Sequence, residues 1–216
     1  MADADSLLQL GIFVERNFFD ASLCSDLRAI MCSAPANKAL VVKDRSYLVD
    51  VAQRRTTLAS VSASTAAVAT RKLLTILPRL ESHYSTKLES CASPEFLIYR
   101  EGDHFRAHAD TYPDPKLPPE VHLRKISAVV FLNSQSERLS VDSYSGGYLT
   151  FYNLAKNPTW QTYRFKLSGE QGLLVAFPSS VFHEVTPVTR GERFTIVSWF
   201  YSSHHDTREA NNGANE

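Results

Sequence analysis

Cysteine is scarce in this chain, with Cys24, Cys32 and Cys91 the only three among 216 residues. None belongs to a Cys-x-x-Cys pair or neighbours a histidine. So few thiols at irregular spacing exclude a disulfide framework and point to free thiols in a reducing compartment. Net charge is missing as well, because 23 lysines and arginines cancel 23 aspartates and glutamates. No global field then draws the chain to nucleic acid or an anionic membrane, and neither is expected as a partner. No apolar run reaches the ~18 to 20 residues that cross a bilayer. The start, Met1-Ala2-Asp3-Ala4-Asp5, is acidic where a secretory signal is basic, and the short run from Leu7 to Val14 lacks a cleavage pattern. No internal repeat occurs at solenoid spacing. These absences lead to the expectation of a cytoplasmic protein.

What is present is apolar and aromatic: 44% hydrophobic and 11% aromatic residues, enough for one substantial core. In the first third, Leu23, Leu27, Ile30 and Met31 recur at helical spacing behind Asp20 as a cap, with Pro35 beyond the end. A longer helical stripe, Leu73, Leu77, Leu80, Tyr84 and Leu88, runs within 64–90, where Pro78 kinks it or splits it in two. From Glu95 the period changes. Phe96 to Tyr99, Lys125 to Leu132, Gly147 to Tyr152, Thr162 to Leu167, Gly172 to Phe177 and Phe194 to Tyr201 are short β-branched and aromatic runs between turn residues. Two polar stretches interrupt them, proline-rich 111–120 and serine-rich 134–145, and both read as loops able to select a substrate. The expected organisation is an α+β chain: a helical support region over 1–94, a core of antiparallel strands over 95–201 forming one compact domain with it, and a disordered tail over 202–216.

Chemistry enters with His108-Ala109-Asp110 and with His183, 73 residues after Asp110. Two positions apart on a strand, His108 and Asp110 share a face, and His183 must close the set from a neighbouring strand. Two imidazoles and one carboxylate form the facial triad that holds ferrous iron with positions left open. Arg193, ten residues after His183, offers a planar fork to a carboxylate. Taken singly, each of these residues has an ordinary polar reading, and a lone His-x-Asp is weak. The company strengthens it: Tyr99 and Gly102 precede in Tyr-x-x-Gly-x-x-Phe-x-x-His-x-Asp, a strand ends at Leu132-Asn133, and Gly146-Gly147 follows.

This order resembles the 2-oxoglutarate and Fe(II)-dependent dioxygenases, in particular their prolyl 4-hydroxylase-like branch. The resemblance rests on Tyr99 to Asp110, on Tyr144-Ser145-Gly146-Gly147-Tyr148-Leu149 and on Phe177 to Val188, and it covers about half the chain, Glu95 to Tyr201. It implies a double-stranded β-helix, or jelly-roll, core with His108, Asp110 and His183 as metal ligands and catalytic centre. It implies Fe(II), 2-oxoglutarate and dioxygen as cofactor and co-substrates, with ascorbate as a stimulant. The far carboxylate of 2-oxoglutarate falls to Arg193 helped by the Tyr99 hydroxyl, with Asn133, Leu149 and Trp199 lining the pocket; Trp199 and Leu149 have an equal claim as core residues. Collagen-type enzymes usually have a lysine where this chain has Arg193, which favours the oxygen-sensing and bacterial relatives.

The activity implied is hydroxylation of a C–H bond with release of succinate and carbon dioxide, with a prolyl residue of a protein or peptide as the expected target. A free amino acid or other small metabolite is the alternative substrate. Outside this chemistry stand a non-catalytic jelly-roll binding module, which leaves Tyr99 and Arg193 without a reason, and a zinc hydrolase, which needs a general base that Glu184 is badly placed to be. His104, even-spaced from His108, is a candidate substrate contact, and Arg124 another. Arg54-Arg55, His83, His122, His204 and His205 read as surface residues.

Overall fold

The computed structural model describes residues 10–43, 46–138, 140, 142–152 and 164–202. The expected tail, with His204 and His205, and the start of the expected strand at Thr162 fall outside them. Helix α1 (Ala21–Ser33) begins where the cap signal stands: the Asp20 carboxylate accepts the Leu23 amide at 2.8 Å. Its buried stripe is Cys24, Leu27 and Met31, while Ile30 faces solvent. The longer stripe is two helices, α2 (Ala63–Leu74) and α3 (Leu77–Tyr84), with Pro78 in the first turn of α3, where its missing N–H costs nothing. Ser85 in the left-handed conformation ends α3. A four-residue helix, α4 (Pro119–His122), closes the proline-rich stretch.

Eighteen strands are named among the described residues. The largest sheet runs β1 (Phe13–Glu15), β15 (Leu174–Pro178), β10 (Arg124–Phe131), β18 (Arg193–Tyr201), β8 (Glu95–Tyr99), β6 (Thr57–Ala59), β2 (Ala36–Lys38), with β7 (Ser90–Cys91) also on β18. Facing it is the five-stranded sheet β14 (Arg164–Leu167), β13 (Leu149–Tyr152), β16 (His183–Val185), β9 (His104–His108), β5 (Arg54–Arg55). Smaller sheets join β11 (Ser134–Gln135), β12 (Ser143–Gly146) and β17 (Val188–Arg190), and β3 (Val41–Lys43) with β4 (Ser46–Leu48). Except for β11 with β12, the strand pairs are antiparallel.

Strand periodicity divides the large sheet into two faces. Phe96, Ile98, Ile126, Ala128, Val130, Leu174, Ala176, Ile196 and Phe200 pack with Leu27, Met31, Leu73 and Leu80 of the helices. The alternate residues, Val129, Phe131, Val175 and Phe177, meet Leu149, Phe151 and Leu167 of the facing sheet, and Leu97 and Tyr99 meet Val185. This is the expected jelly roll of antiparallel strands buttressed by helices.

Two expectations need correction. Residues up to 94 are more than a helical support, because β1, β2, β6 and β7 extend the large sheet and β5 edges the smaller one. Strands of two or three residues are too short to show a period. The serine-rich stretch 134–145 likewise carries β11 and part of β12. Among the described residues no helix is long and apolar enough to cross a membrane.

Candidate metal centre

β9 and β16 run side by side, and His108 is the direct cross-strand partner of His183. The register then shifts: Val185 pairs with Phe105, so two steps on β16 match three on β9. That extra residue is a β-bulge, which turns Phe105 and His108 to the same side although they are three apart. Their rings stack at 3.5 Å between centroids. His104, which simple alternation would put beside His108, instead lies against backbone carbonyls of Gly102 and Ala52, at 3.2 and 3.4 Å.

Asp110 lies beyond the end of β9, so its direction comes from tertiary contacts and not from strand alternation. Its amide and that of Thr111 both donate to the Ser179 carbonyl, at 2.9 and 3.1 Å. The Ser127 hydroxyl donates to its Oδ2 at 2.6 Å. The carboxylate thereby sits 3.5 Å from His108 Nε2 and 3.7 Å from His183 Nε2. One ligand atom from each of the three residues falls within 4.8 Å of the others.

Both imidazoles are oriented in the same way. Nδ1 of His108 lies 2.8 Å from the Arg106 carbonyl, and Nδ1 of His183 lies 2.9 Å from the Val181 carbonyl, each two residues upstream. A carbonyl can only accept, so Nδ1 carries the proton and Nε2 presents its lone pair to the centre. Burial, reinforced by His108, pushes the His183 imidazole down to about 4 against the pull of Asp110, so it is neutral at ordinary pH. Burial alone would raise the Asp110 carboxyl; His183, His108 and the Ser127 hydroxyl outweigh it and hold the group far below the usual carboxylate range. A neutral His183 imidazole and an ionised Asp110 carboxylate are protonation states that suit a divalent cation.

A cavity of about 40 Å³ opens from these three residues, lined also by Tyr99, Phe105, Leu149, Arg193 and Trp199. Arg193 is 1% exposed. Its guanidinium carbon lies 4.9 Å from the ring centres of both Tyr99 and Phe131, and one nitrogen reaches the Thr195 hydroxyl at 3.3 Å. Its Nε has no partner among the described residues, and neither does the buried Trp199 Nε1. A buried cation so poorly compensated is costly unless an anion arrives. The donor set fits Fe(II), and a guanidinium without an acidic partner among the described residues, its Nε unsatisfied, fits the free carboxylate of a 2-oxo dicarboxylic acid. Gly147 makes room for this arrangement: at φ +60, a Cβ there would stand 3.0 Å from Arg193 Cδ and 2.9 Å from a Val188 methyl.

The family model of the 2OG-Fe(II) oxygenase superfamily matches residues 94–201. The chain belongs to that superfamily. A PKHD-type hydroxylase of Rhizorhabdus wittichii is 35% identical over 114 residues, 52% of this chain and 44% of the relative. Another, from Teredinibacter turnerae, is 35% identical over 122 residues, 56% of this chain and 48% of its own. The chain thus spans about half the length of the curated relatives it matches. By fold it is similar to a Pseudomonas putida prolyl-4-hydroxylase, with a TM-score of 0.66 at 22% identity over 93% of this chain and 97% of that one. A Trichoplax adhaerens prolyl hydroxylase solved with a hypoxia-inducible-factor peptide fragment gives 0.66 at 17% identity over 92% and 87%. Superfamily membership and the jelly-roll core are those the motifs led one to expect.

Of the sequence-predicted residues in this superfamily member, His108, Asp110, His183, Tyr99, Leu149, Trp199 and Arg193 line one cavity. Asn133 does not. Its amide donates to the Glu192 carbonyl at 2.8 Å and accepts the Phe194 amide at 3.0 Å, so it buckles the backbone on both sides of Arg193. Tyr99 meets Arg193 through its ring face, as its cross-strand partner. Arg54 is no surface residue: it is buried in the cavity wall, donating to Glu95 and to the Leu40 carbonyl at 2.9 Å each. Arg55 is exposed and pairs with Asp103. Arg124 stacks 3.8 Å over the Trp199 ring. His83 is half-buried, edge-on to Tyr84 and Phe13, whereas His122 is exposed. Sequence reasoning missed Ser127 and Phe105; the signal for Ser127 was a lone hydroxyl at inward parity in an apolar strand.

Proposed function

We propose that this chain is an Fe(II)- and 2-oxoglutarate-dependent dioxygenase that hydroxylates a C–H bond, with a prolyl residue of a protein or peptide as its target. The observation that carries the reading is the buried, anion-deficient Arg193 sharing a cavity with the three-residue donor set. His108, Asp110 and His183 hold the metal through Nε2, a carboxylate oxygen and Nε2. Arg193 receives the far carboxylate of 2-oxoglutarate, and the Tyr99 ring fixes the plane of the guanidinium. Trp199 closes the cavity beside it, its unpaired N–H available to co-substrate. With both bound, dioxygen would be the oxidant: one of its atoms would go into succinate as 2-oxoglutarate is decarboxylated to succinate and carbon dioxide, and the other would go to the substrate C–H bond, chemistry that iron and the co-substrate would supply and these residues position. The apolar wall of Leu97, Phe105, Val129, Leu149 and Val197 excludes water from the reacting centre. Ascorbate would act as a stimulant, as the family resemblance implies. The N-terminal elements and the jelly roll act together as one domain, since helices and strands share one core.

A peptide substrate is favoured over a free metabolite by exposed aromatic residues next to the ligands: Tyr112, two after Asp110, and Phe182, one before His183. Exposed aromatic groups of this kind offer an extended chain an apolar surface to pack on. The T. adhaerens fold neighbour was solved with a peptide fragment. The test is a peptide-array and amino-acid screen with iron and 2-oxoglutarate, read by succinate release and a mass gain of one oxygen, with His108→Ala as control. Succinate coupled to peptide oxidation is expected. Oxidation of free amino acids alone would transfer the site to metabolites, and no succinate under any condition would overturn the oxygenase reading.

A further inference from the structure

Ser127 is 1% exposed on β10, in a strand whose other inward residues are Val129 and Phe131. A buried hydroxyl there needs a partner, and it has two. It donates to Asp110 Oδ2 at 2.6 Å and lies 2.9 Å from the Ser179 hydroxyl. Ser179, itself fully buried, accepts both the Asp110 and Thr111 amides through its carbonyl. Two serines from β10 and from the turn after β15 therefore hold the metal-binding carboxylate by its backbone and by one chosen oxygen.

The choice of oxygen has a chemical consequence. A carboxylate can meet a divalent cation through one oxygen or both, and a facial triad works only if three positions stay open for a chelating co-substrate and dioxygen. Asp110 Oδ2 lies 3.7 Å from His183 Nε2 but is engaged by a short charge-assisted hydrogen bond from Ser127, while Oδ1 faces His108 Nε2 at 3.5 Å and takes no bond from a hydroxyl among the described residues. We propose that Ser127 is a positioning residue that keeps Asp110 monodentate through Oδ1, with Ser179 as the strut behind it. This rests on the reading of His108, Asp110 and His183 as iron ligands.

Mn(II), stable in air, is the probe. The wild-type protein, Ser127→Ala, Ser127→Thr and His108→Ala are loaded with Mn(II), its affinity is measured by EPR, and metal-bound waters are counted from line broadening in ¹⁷O-water. An octahedral ion on three monodentate ligands keeps about three waters in the wild type and in Ser127→Thr, which retains the hydroxyl. Ser127→Ala frees Oδ2 to reach the metal, so the count drops to about two and affinity falls about tenfold or more, the usual range for lost outer-shell partners. An unchanged count and affinity in Ser127→Ala overturns the proposal. If the wild type binds Mn(II) no better than His108→Ala, the ligand reading itself has failed, which is a different result. Should Ser127→Ala not fold, Ser127→Cys, of similar size but a weaker donor, carries the same comparison.

Discussion

The two faces of the large sheet are built from alternate residues of the same strands and do opposite work. Toward the helices, β8, β10, β15 and β18 present mostly apolar side chains into one continuous core. Toward the facing sheet they present Ser127, Arg193, Thr195 and Trp199 among the apolar residues, and the unpaired Arg193 and Trp199 nitrogens lie there. One face stabilises the fold, and the other holds polar groups that the fold alone leaves unsatisfied. Ligand-binding sites tolerate such local cost because the surrounding structure over-determines them.

Arg193→Met separates the faces most sharply. It removes the partner of a desolvated carboxylate, a loss of about 2–5 kcal/mol, so the apparent affinity for 2-oxoglutarate should fall by roughly one and a half to three and a half orders of magnitude. The same change removes a buried cation without an ion-pair partner among the described residues, so thermal stability without co-substrate should hold or rise. Titration calorimetry and melting curves of the metal-loaded protein check the two halves. A large loss of stability would mean Arg193 belongs to the scaffold.

The helix-side counterpart is Leu73→Ala, which opens a void in a fully buried position. It should cost about 2–5 kcal/mol in denaturant unfolding while leaving the Michaelis constant for 2-oxoglutarate unchanged where the protein is folded. A shifted constant would show that the two faces are mechanically coupled.

A smaller effect distinguishes the faces by pH. His183 titrates at about 4 in the folded chain and near 6.5 when unfolded. Between those values the unfolded chain binds more protons, so metal-free stability should fall as pH drops through that window. Asp110, held below its ordinary value, continues the loss at lower pH. On the helix side, burial raises the Cys24 thiol from 9.0 to about 11, so stability should also fall as pH rises between those values. Melting curves in chelator should show the acid limb flattened by His183→Gln and the alkaline limb flattened by Cys24→Ala. Limbs that ignore both substitutions would remove these groups from the account.

Much of this was legible locally. The Asp20 cap, the Pro78 break between α2 and α3, the main strands of the core and the grouping of His108, Asp110, His183 and Arg193 can all be read from residue type and spacing. What misled was alternation next to the centre. The β9 bulge exchanges Phe105 for His104, and Asp110 lies past the strand end. The burial of Arg54 was invisible because its partners Leu40 and Glu95 are 14 and 41 residues away.

By itself the sequence determined which donor atoms the chain can offer and which faces it can bury, because donor type and apolar periodicity are both properties of the residues themselves. The tertiary structure alone decided how those donors are held: which nitrogen of each imidazole faces inward, which oxygen of Asp110 is engaged by Ser127, and that Asn133 braces the backbone while Arg54 joins the cavity wall. Those outcomes depend on hydrogen bonds between segments far apart in the chain, and no local pattern encodes a partner that only folding brings near.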